Sequence, residues 1–293
     1  MTQNKYAAPL NTDFEDREIP VIDIQPTRGF ASLKLRELWQ YRELLYSLTW
    51  RDIKLRYKQT ILGALWAILQ PFIAMLLFTL IFNKLIGLSS EDLPYPLFSY
   101  SGLVIWMFFA NSVLQMSDSM VAQAHTIKKV YFPRLAIPVA TMGTSFVDFA
   151  LAFIILLAMM AYYQIVPTLA ILALPGFLLL ATATAMGVGL WLSALNVLFR
   201  DVRYVVPFLL QMWLFASPIA YSSSFMAKKS EVWNYVYGLN PMAGVVNGFR
   251  WSLFGTELIQ PQLIVTSSLV AVTLLVTGAY YFRRMERTFA DVA

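Results

Sequence analysis

Across 293 residues, 58% are apolar and only 13% charged, about half the charged share of an ordinary soluble domain. That balance excludes a purely water-soluble globule. Cysteine is absent, which rules out disulfides, thiolate metal sites and a cysteine nucleophile. The net charge of +5 does not indicate nucleic-acid binding, because most of the cations flank apolar runs, as in a membrane protein.

In chain order, residues 1–30 are polar and acidic, with Asp13, Glu15, Asp16, Glu18 and Asp23. They lack the basic start and apolar core of a cleaved signal sequence, so a disordered cytoplasmic tail is expected. Residues 31–60 mix Leu38, Leu45, Leu48 and Ile53 with Arg36, Arg42, Trp50, Arg51, Lys54, Arg56, Tyr57 and Lys58. This pattern predicts an amphipathic helix at the membrane interface, the alternative being a solvated helix packed on a partner.

Six spans are expected within residues 61–293: 61–82, with Pro71 at its middle and a kink there, then 97–116, 136–163, 169–195, the short 205–221, and 263–282. Each run is apolar and near the roughly 20 residues a helix needs to cross about 30 Å of hydrocarbon. The fold class is therefore all-α: a polytopic membrane protein with six transmembrane helices and an N-terminal interface helix. An inside N-terminus places eighteen of the twenty-two lysines and arginines on the cytoplasmic side, leaving Lys84, Lys228, Lys229 and Arg250 outside. Both termini are thus expected to be cytoplasmic. The connection 222–262 is too long for a turn and too broken to span. Asn240-Pro241 divides two apolar stretches, which predicts an external re-entrant helix pair rather than an ordinary surface loop.

Groups able to carry acid–base chemistry are few. The single histidine, His125, lies in a basic loop without a nearby carboxylate, and no G-x-x-x-x-G-K-[ST] phosphate loop occurs. Asp148 falls inside the third apolar run, where an ionisable group is a functional candidate by default. The reading preferred for it is structural: Asp148 near the water line, paired with Arg51 or Arg56. Two basic loops, around 124–134 and 196–203, combine aromatic knobs with cations and suit docking into a soluble subunit; positive-inside loops without a partner are the simpler alternative.

The chain resembles the ABC-2 type permeases, specifically exporters of O-antigen, capsular or teichoic polysaccharide. The resemblance rests on Leu48-Thr-Trp-Arg-Asp-Ile-Lys-Leu-Arg-Tyr-Lys58, Leu62-Gly-Ala-Leu-Trp66, Gln70-Pro71, Ile127-Lys-Lys-Val-Tyr-Phe-Pro-Arg134, Asn196-Val-Leu-Phe-Arg-Asp-Val202, Ser217-Pro218, Asn240-Pro241-Met242 and the ending Phe282-Arg-Arg-Met-Glu-Arg-Thr-Phe-Ala-Asp-Val292. It implies a permease that is not itself an enzyme. Two such chains would pair with two cytoplasmic ATP-binding subunits, and ATP and Mg would be held only in the latter. It also implies coupling contacts at Ile127, Lys128, Lys129, Tyr131, Phe132 and Arg134, with Phe199, Arg200 and Asp201 as a second contact.

The expected cargo is an undecaprenyl-pyrophosphate-linked glycan moved across the inner membrane. Arg51, Arg56 and Lys58 are expected to attract its pyrophosphate or ordinary headgroups, and Trp66, Phe72, Tyr100, Trp106 and Trp213 to line its path. Export of a drug or small lipid by the same class of permease is the alternative.

Overall fold

The computed structural model describes residues 39–58, 63–88, 93–124, 132–222, 231–255, 260–286 and 289. The expected tail 1–30 and the loop residues His125, Ile127, Lys128, Lys129 and Tyr131 lie outside them. The regular structure of the described residues is all helical: α1 (Arg42–Lys58), α2 (Leu65–Phe78) continued by a π-helical stretch (Thr79–Leu85), α3 (Tyr95–Ala122), α4 (Ala136–Tyr162), a 3₁₀ turn (Leu169–Ala173) leading into α5 (Leu174–Leu198), α6 (Val202–Ala216), α7 (Glu231–Gly238), α8 (Pro241–Phe254) and α9 (Pro261–Met285). Five of these stretches are long and apolar enough to cross a bilayer, and α6 is a shorter apolar helix. The chain is therefore a polytopic membrane protein.

Burial orders the helices. In α3, 78% of the most apolar stretch is buried, against 11% in α2, yet α3 is the least hydropathic of the five. A lipid-facing helix must be apolar, whereas a central one can carry hydroxyls, each bonded to a nearby backbone carbonyl. Ser99, Ser101, Ser112, Ser117 and Ser119 of α3 are buried; all but Ser112 donate to a carbonyl three residues back in α3 itself. Around α3 pack α5, α4, α2 and α8, and α9 lies on α5.

The α5–α9 crossing depends on two glycines. A Cβ on Gly187 would stand 2.5 Å from the Leu274 carbonyl carbon, and one on Gly278 would meet the Gly187 carbonyl oxygen. Such backbone proximity is how helices associate in lipid, where burial of apolar surface from water no longer drives packing. Gly187→Leu is expected to destabilise the fold by about 1–3 kcal/mol through overpacking, read as a lowered melting temperature of the detergent-solubilised chain.

Polar contacts fix which helix ends lie together. Asn196 at the end of α5 donates to the Ser117 carbonyl (2.9 Å) and to Asp118 (3.1 Å), and Arg203 at the start of α6 pairs with Asp118 at 3.8 Å. Arg134, before α4, donates to the carbonyl of Glu286 after α9. One end of the bundle thus gathers the ends of α3, α5 and α9 and the starts of α4 and α6. At the opposite end, Phe98 of α3 and the carbonyls of Pro218 and Ile219 share one side chain, Arg250. The chain from Arg203 to Ile219 therefore travels the length of α3 between Asp118 and Phe98, about 30 Å at 1.5 Å per residue.

The short run 205–221 makes this passage without being helical to its end. The helix stops at Ala216 and residues 217–222 are irregular. Ser217 adopts extended torsions, and Pro218 follows it.

Candidate coupling face and membrane-embedded polar sites

At the end that carries the basic loops, α1 is laid against α4. Thr49 Oγ1 donates to the Ala140 carbonyl at 3.1 Å, and eight residues further along both helices Tyr57 donates to Asp148. The two helices therefore run in the same direction, side by side. Leu48 is the buried residue of α1, while Tyr46, Trp50 and Leu55 are exposed.

Asp148 itself is 6% exposed. Its second oxygen lies 2.6 Å from the Arg56 guanidinium, so both carboxylate oxygens are engaged from α1. Burial, and then the bond to Asp148, raise the Tyr57 phenol above its ordinary range, which keeps it a donor. The beginning of α2 is close by: Ala67, Gln70 and Pro71 share a small pocket with Asp148, Asn111 and Phe108.

This arrangement separates the cations expected to meet a pyrophosphate. Arg56 is turned onto Asp148. Arg51 pairs with its neighbour Asp52 at 2.8 Å but keeps an exposed edge. Lys58 is exposed, and with Ser47, Trp50, Arg51, Lys54 and Leu55 it lines an open groove of about 470 Å³ along α1. Lys54, not singled out with these cations from the sequence, sits 5.3 Å from the Trp50 ring centroid.

The two basic loops differ in what they expose. Phe132 is buried and joins the core, so it is not a docking knob; the residue before Pro133 packs inward. Arg134 is likewise engaged, through the Glu286 carbonyl. In the second loop Asn196 and Arg203 pin the flanks to Asp118, while Phe199 is 60% exposed and Arg200 and Asp201 are also exposed. A protruding aromatic between anchored flanks loses little entropy on docking, which suits it to be an interface anchor.

The opposite end is organised by two side chains of the 240–250 region. Asn240 caps α8 by accepting from Met242 N (3.0 Å), accepts from Trp213 Nε1 (2.8 Å), and donates to Ala216 O and Ser217 Oγ. Pro241 opens α8 at its first position, where a missing amide costs nothing. Arg250, counted from the sequence only as an outer cation, is 1% exposed. It donates to Pro218 O (2.6 Å), Ile219 O (2.9 Å), Phe98 O (3.0 Å) and Ser101 Oγ (3.3 Å), and lies 3.6 Å over the Phe98 ring. Gly102 makes room, since a Cβ there would meet Nη2 at 2.6 Å. Tyr95 takes the Ala220 carbonyl at 2.8 Å. The irregular stretch after α6 would otherwise bury carbonyls without donors, an arrangement that neither a core nor a bilayer tolerates. The available signal was an arginine inside a 14-residue apolar helix.

Of the five aromatics expected along a pathway, Tyr100 and Trp106 are buried. Tyr100 donates to the Ala152 carbonyl at 3.2 Å, and Trp106 packs on Phe109 and Trp213. They present no face to a passing polymer, because α3 is the central helix of the bundle. Trp66 and Phe72 are exposed on α2, and Trp213 is half-buried.

Comparison with known proteins completes the picture. Residues 43–254 match the model of the ABC-2 type transporter family. The chain is 30% identical over 258 residues to the O-antigen export system permease protein RfbA of Myxococcus xanthus, covering 88% of this chain and 98% of that one. It is 27% identical to an RfbA of Klebsiella pneumoniae, over 89% of this chain and 99% of the other. The polysialic acid transport protein KpsM of Escherichia coli is 25% identical over 80% of this chain and 91% of its own. A family match spanning most of the chain, a multi-span bundle and an exposed loop suited to an external engine agree: the chain belongs to the ABC-2 type transporter family and is a membrane permease, not the ATPase.

Proposed function

We propose that this permease exports lipid-linked polysaccharide, a glycan such as O-antigen on undecaprenyl pyrophosphate, across the bacterial inner membrane. The observation that carries the proposal is end-to-end similarity to permeases named for O-antigen export. The geometry supports a conduit shared by two copies. α2 and α6 leave Trp66, Phe72, Leu76, Phe208, Met212 and Phe215 exposed, two apolar faces that a second copy and the path between copies would use. Trp66, Phe72 and Trp213 remain the aromatics to be tested along that path.

In this reading six crossings are made, the fifth by α6 with residues 217–222. α5 ends and α9 ends among the basic loops, so the intervening chain must cross once before α9 begins. Both termini, the tail 1–30 and residues 31–60 then face the cytoplasm, by the distribution of lysine and arginine. α2 begins beside Asp148, so in this reading that carboxylate lies at the inner rim with α1 on the cytoplasmic side of it. Arg51, Lys54 and Lys58 in the groove of α1 are positioned to attract headgroup or pyrophosphate charge. α7 and α8 form the outer re-entrant pair, nearly every residue of α8 being buried within the protein. The 61–293 region is the transport domain.

The power comes from two copies of a cytoplasmic ATP-binding subunit, which hold ATP and Mg. They engage the chain through residues 127–134 and through Phe199, Arg200 and Asp201. Phe199→Ala is expected to lower co-purification of the ATP-binding subunit about tenfold, with the permease still present in the membrane.

The proposed function is tested with inverted membrane vesicles containing both subunits. They should take up lipid-linked glycan only when ATP is supplied, and vesicles with the permease alone should take up none. Equal uptake without the ATP-binding subunit would remove the proposal.

A further inference from the structure

The C-terminal motif Phe282–Val292 stands out in the sequence and has no part in the pathway or the docking loops. In the structure its described residues meet the start of α4. Phe282 and Phe289 are fully buried, their rings 5.4 Å apart. Between them Glu286 closes α9 as its C-terminal cap. One carboxylate oxygen of Glu286 accepts from the backbone amide of Arg134 at 3.4 Å, and the other lies 2.6 Å from the Arg283 guanidinium. In return the Arg134 guanidinium donates to the Glu286 backbone carbonyl.

The exchange is reciprocal: each side chain holds the other residue's main chain. It also matches the helix dipoles. The start of α4, whose cap residue Leu135 makes no side-chain cap bond, receives a carboxylate, and the end of α9 receives a guanidinium. What becomes fixed is the backbone at which the first basic loop enters α4, already anchored two residues earlier by buried Phe132.

We propose that Glu286 is a positioning residue for energy coupling: by holding the Arg134 backbone against the end of α9, it sets the orientation in which the 127–134 segment meets the ATP-binding subunit. This rests on the reading that 127–134 contacts that subunit. Arg134, expected from the sequence to touch the ATPase, thereby also supports that contact from behind. The geometry makes a specific demand. Exchanging the two side chains will not restore function, because neither bonds the other's side chain across the contact.

The test uses the full-length permease in proteoliposomes, titrated with purified ATP-binding subunit while permease-dependent ATP hydrolysis is followed. Glu286→Ala is expected to raise the subunit concentration for half-maximal hydrolysis about tenfold and to leave the rate at saturation within about twofold. Glu286→Gln, which keeps an acceptor toward the Arg134 amide, should fall between Glu286→Ala and wild type. The exchange Arg134→Glu with Glu286→Arg should be no better than Glu286→Ala. A fall in the saturated rate with unchanged half-saturation would overturn the proposal, since it would place Glu286 in the fold or the power stroke.

Lys128→Glu with Lys129→Glu separates the two layers of the argument. If this variant weakens subunit binding and Glu286→Ala does not, the coupling contact stands and the role of Glu286 is lost. If neither does, the contact itself is refuted.

Discussion

Arg250→Ala is expected to prevent stable folding of the permease. Truncation orphans the carbonyls of Pro218 and Ile219, 2.6 and 2.9 Å from the guanidinium, and strips that of Phe98 of one of its donors, leaving it Ser101 Oγ. It also empties the largest of the fully buried side-chain volumes. Each orphaned buried acceptor costs about 1–3 kcal/mol, and the cavity adds to that. The total exceeds the ~4 kcal/mol beyond which a single substitution is exceptional and is a large part of any domain's stability.

Arg250→Lys is not a conservative rescue. An ammonium has three donors at one point, whereas the guanidinium fork reaches carbonyls on two separate segments at once. The lysine variant should accumulate in membranes at a reduced level with residues 217–222 loosened. The natural absence of cysteine allows a clean readout. Ala220 is 6% exposed, so Ala220→Cys should resist a maleimide in the parent chain and label readily once Arg250 is lysine. Wild-type melting of the alanine variant, or continued shielding at position 220 in the lysine variant, would show that the arginine does not hold this end together.

How far the sequence reveals these features depends on whether a local signal exists. Long apolar runs announce themselves, because a bilayer imposes both length and composition; α3, α4, α5 and α9 lie where hydropathy places them. The first span starts later than expected, at Leu65, and its end is π-helical. α6 was harder. Hydropathy continues through Tyr221, but it does not separate helix from irregular backbone, and Ser217-Pro218 was the only mark of the break. The Asn240-Pro241 turn was legible from its own chemistry, a capping side chain followed by a residue suited to the first helical position. Arg250 was not, since its meaning lies in carbonyls brought together from positions 98, 218 and 219. The burial of Tyr100 and Trp106 was hidden for a related reason: aromatic content does not say which helix is central. The buried serines of α3 carried that information. Phe132 beside cations read as an exposed knob, yet its burial in the core is a long-range property.

The second large effect concerns Asp148, and it separates a structural carboxylate from one that handles cargo or protons. Arg56→Ala leaves a carboxylate 6% exposed with Tyr57 as its remaining donor among the described residues, and breaking a buried pair by removing one partner costs ~3–5 kcal/mol. The Arg56 side chain is 35% exposed, so solvent screens part of the pair and the low end of that range applies. Replacing both charges, Arg56→Met with Asp148→Asn, removes the desolvation penalty along with the attraction. The amide still accepts from Tyr57, and such exchanges are often neutral. The expected pattern is thus a strongly lowered melting temperature for Arg56→Ala and near-recovery in the double variant. Transport should follow stability, with the double variant exporting glycan at close to the parent rate. If the double variant folds normally yet fails to transport, the negative charge at 148 acts on the cargo or on a proton, and the position of Asp148 beside the start of α2 becomes part of the pathway instead of a brace between α1 and α4.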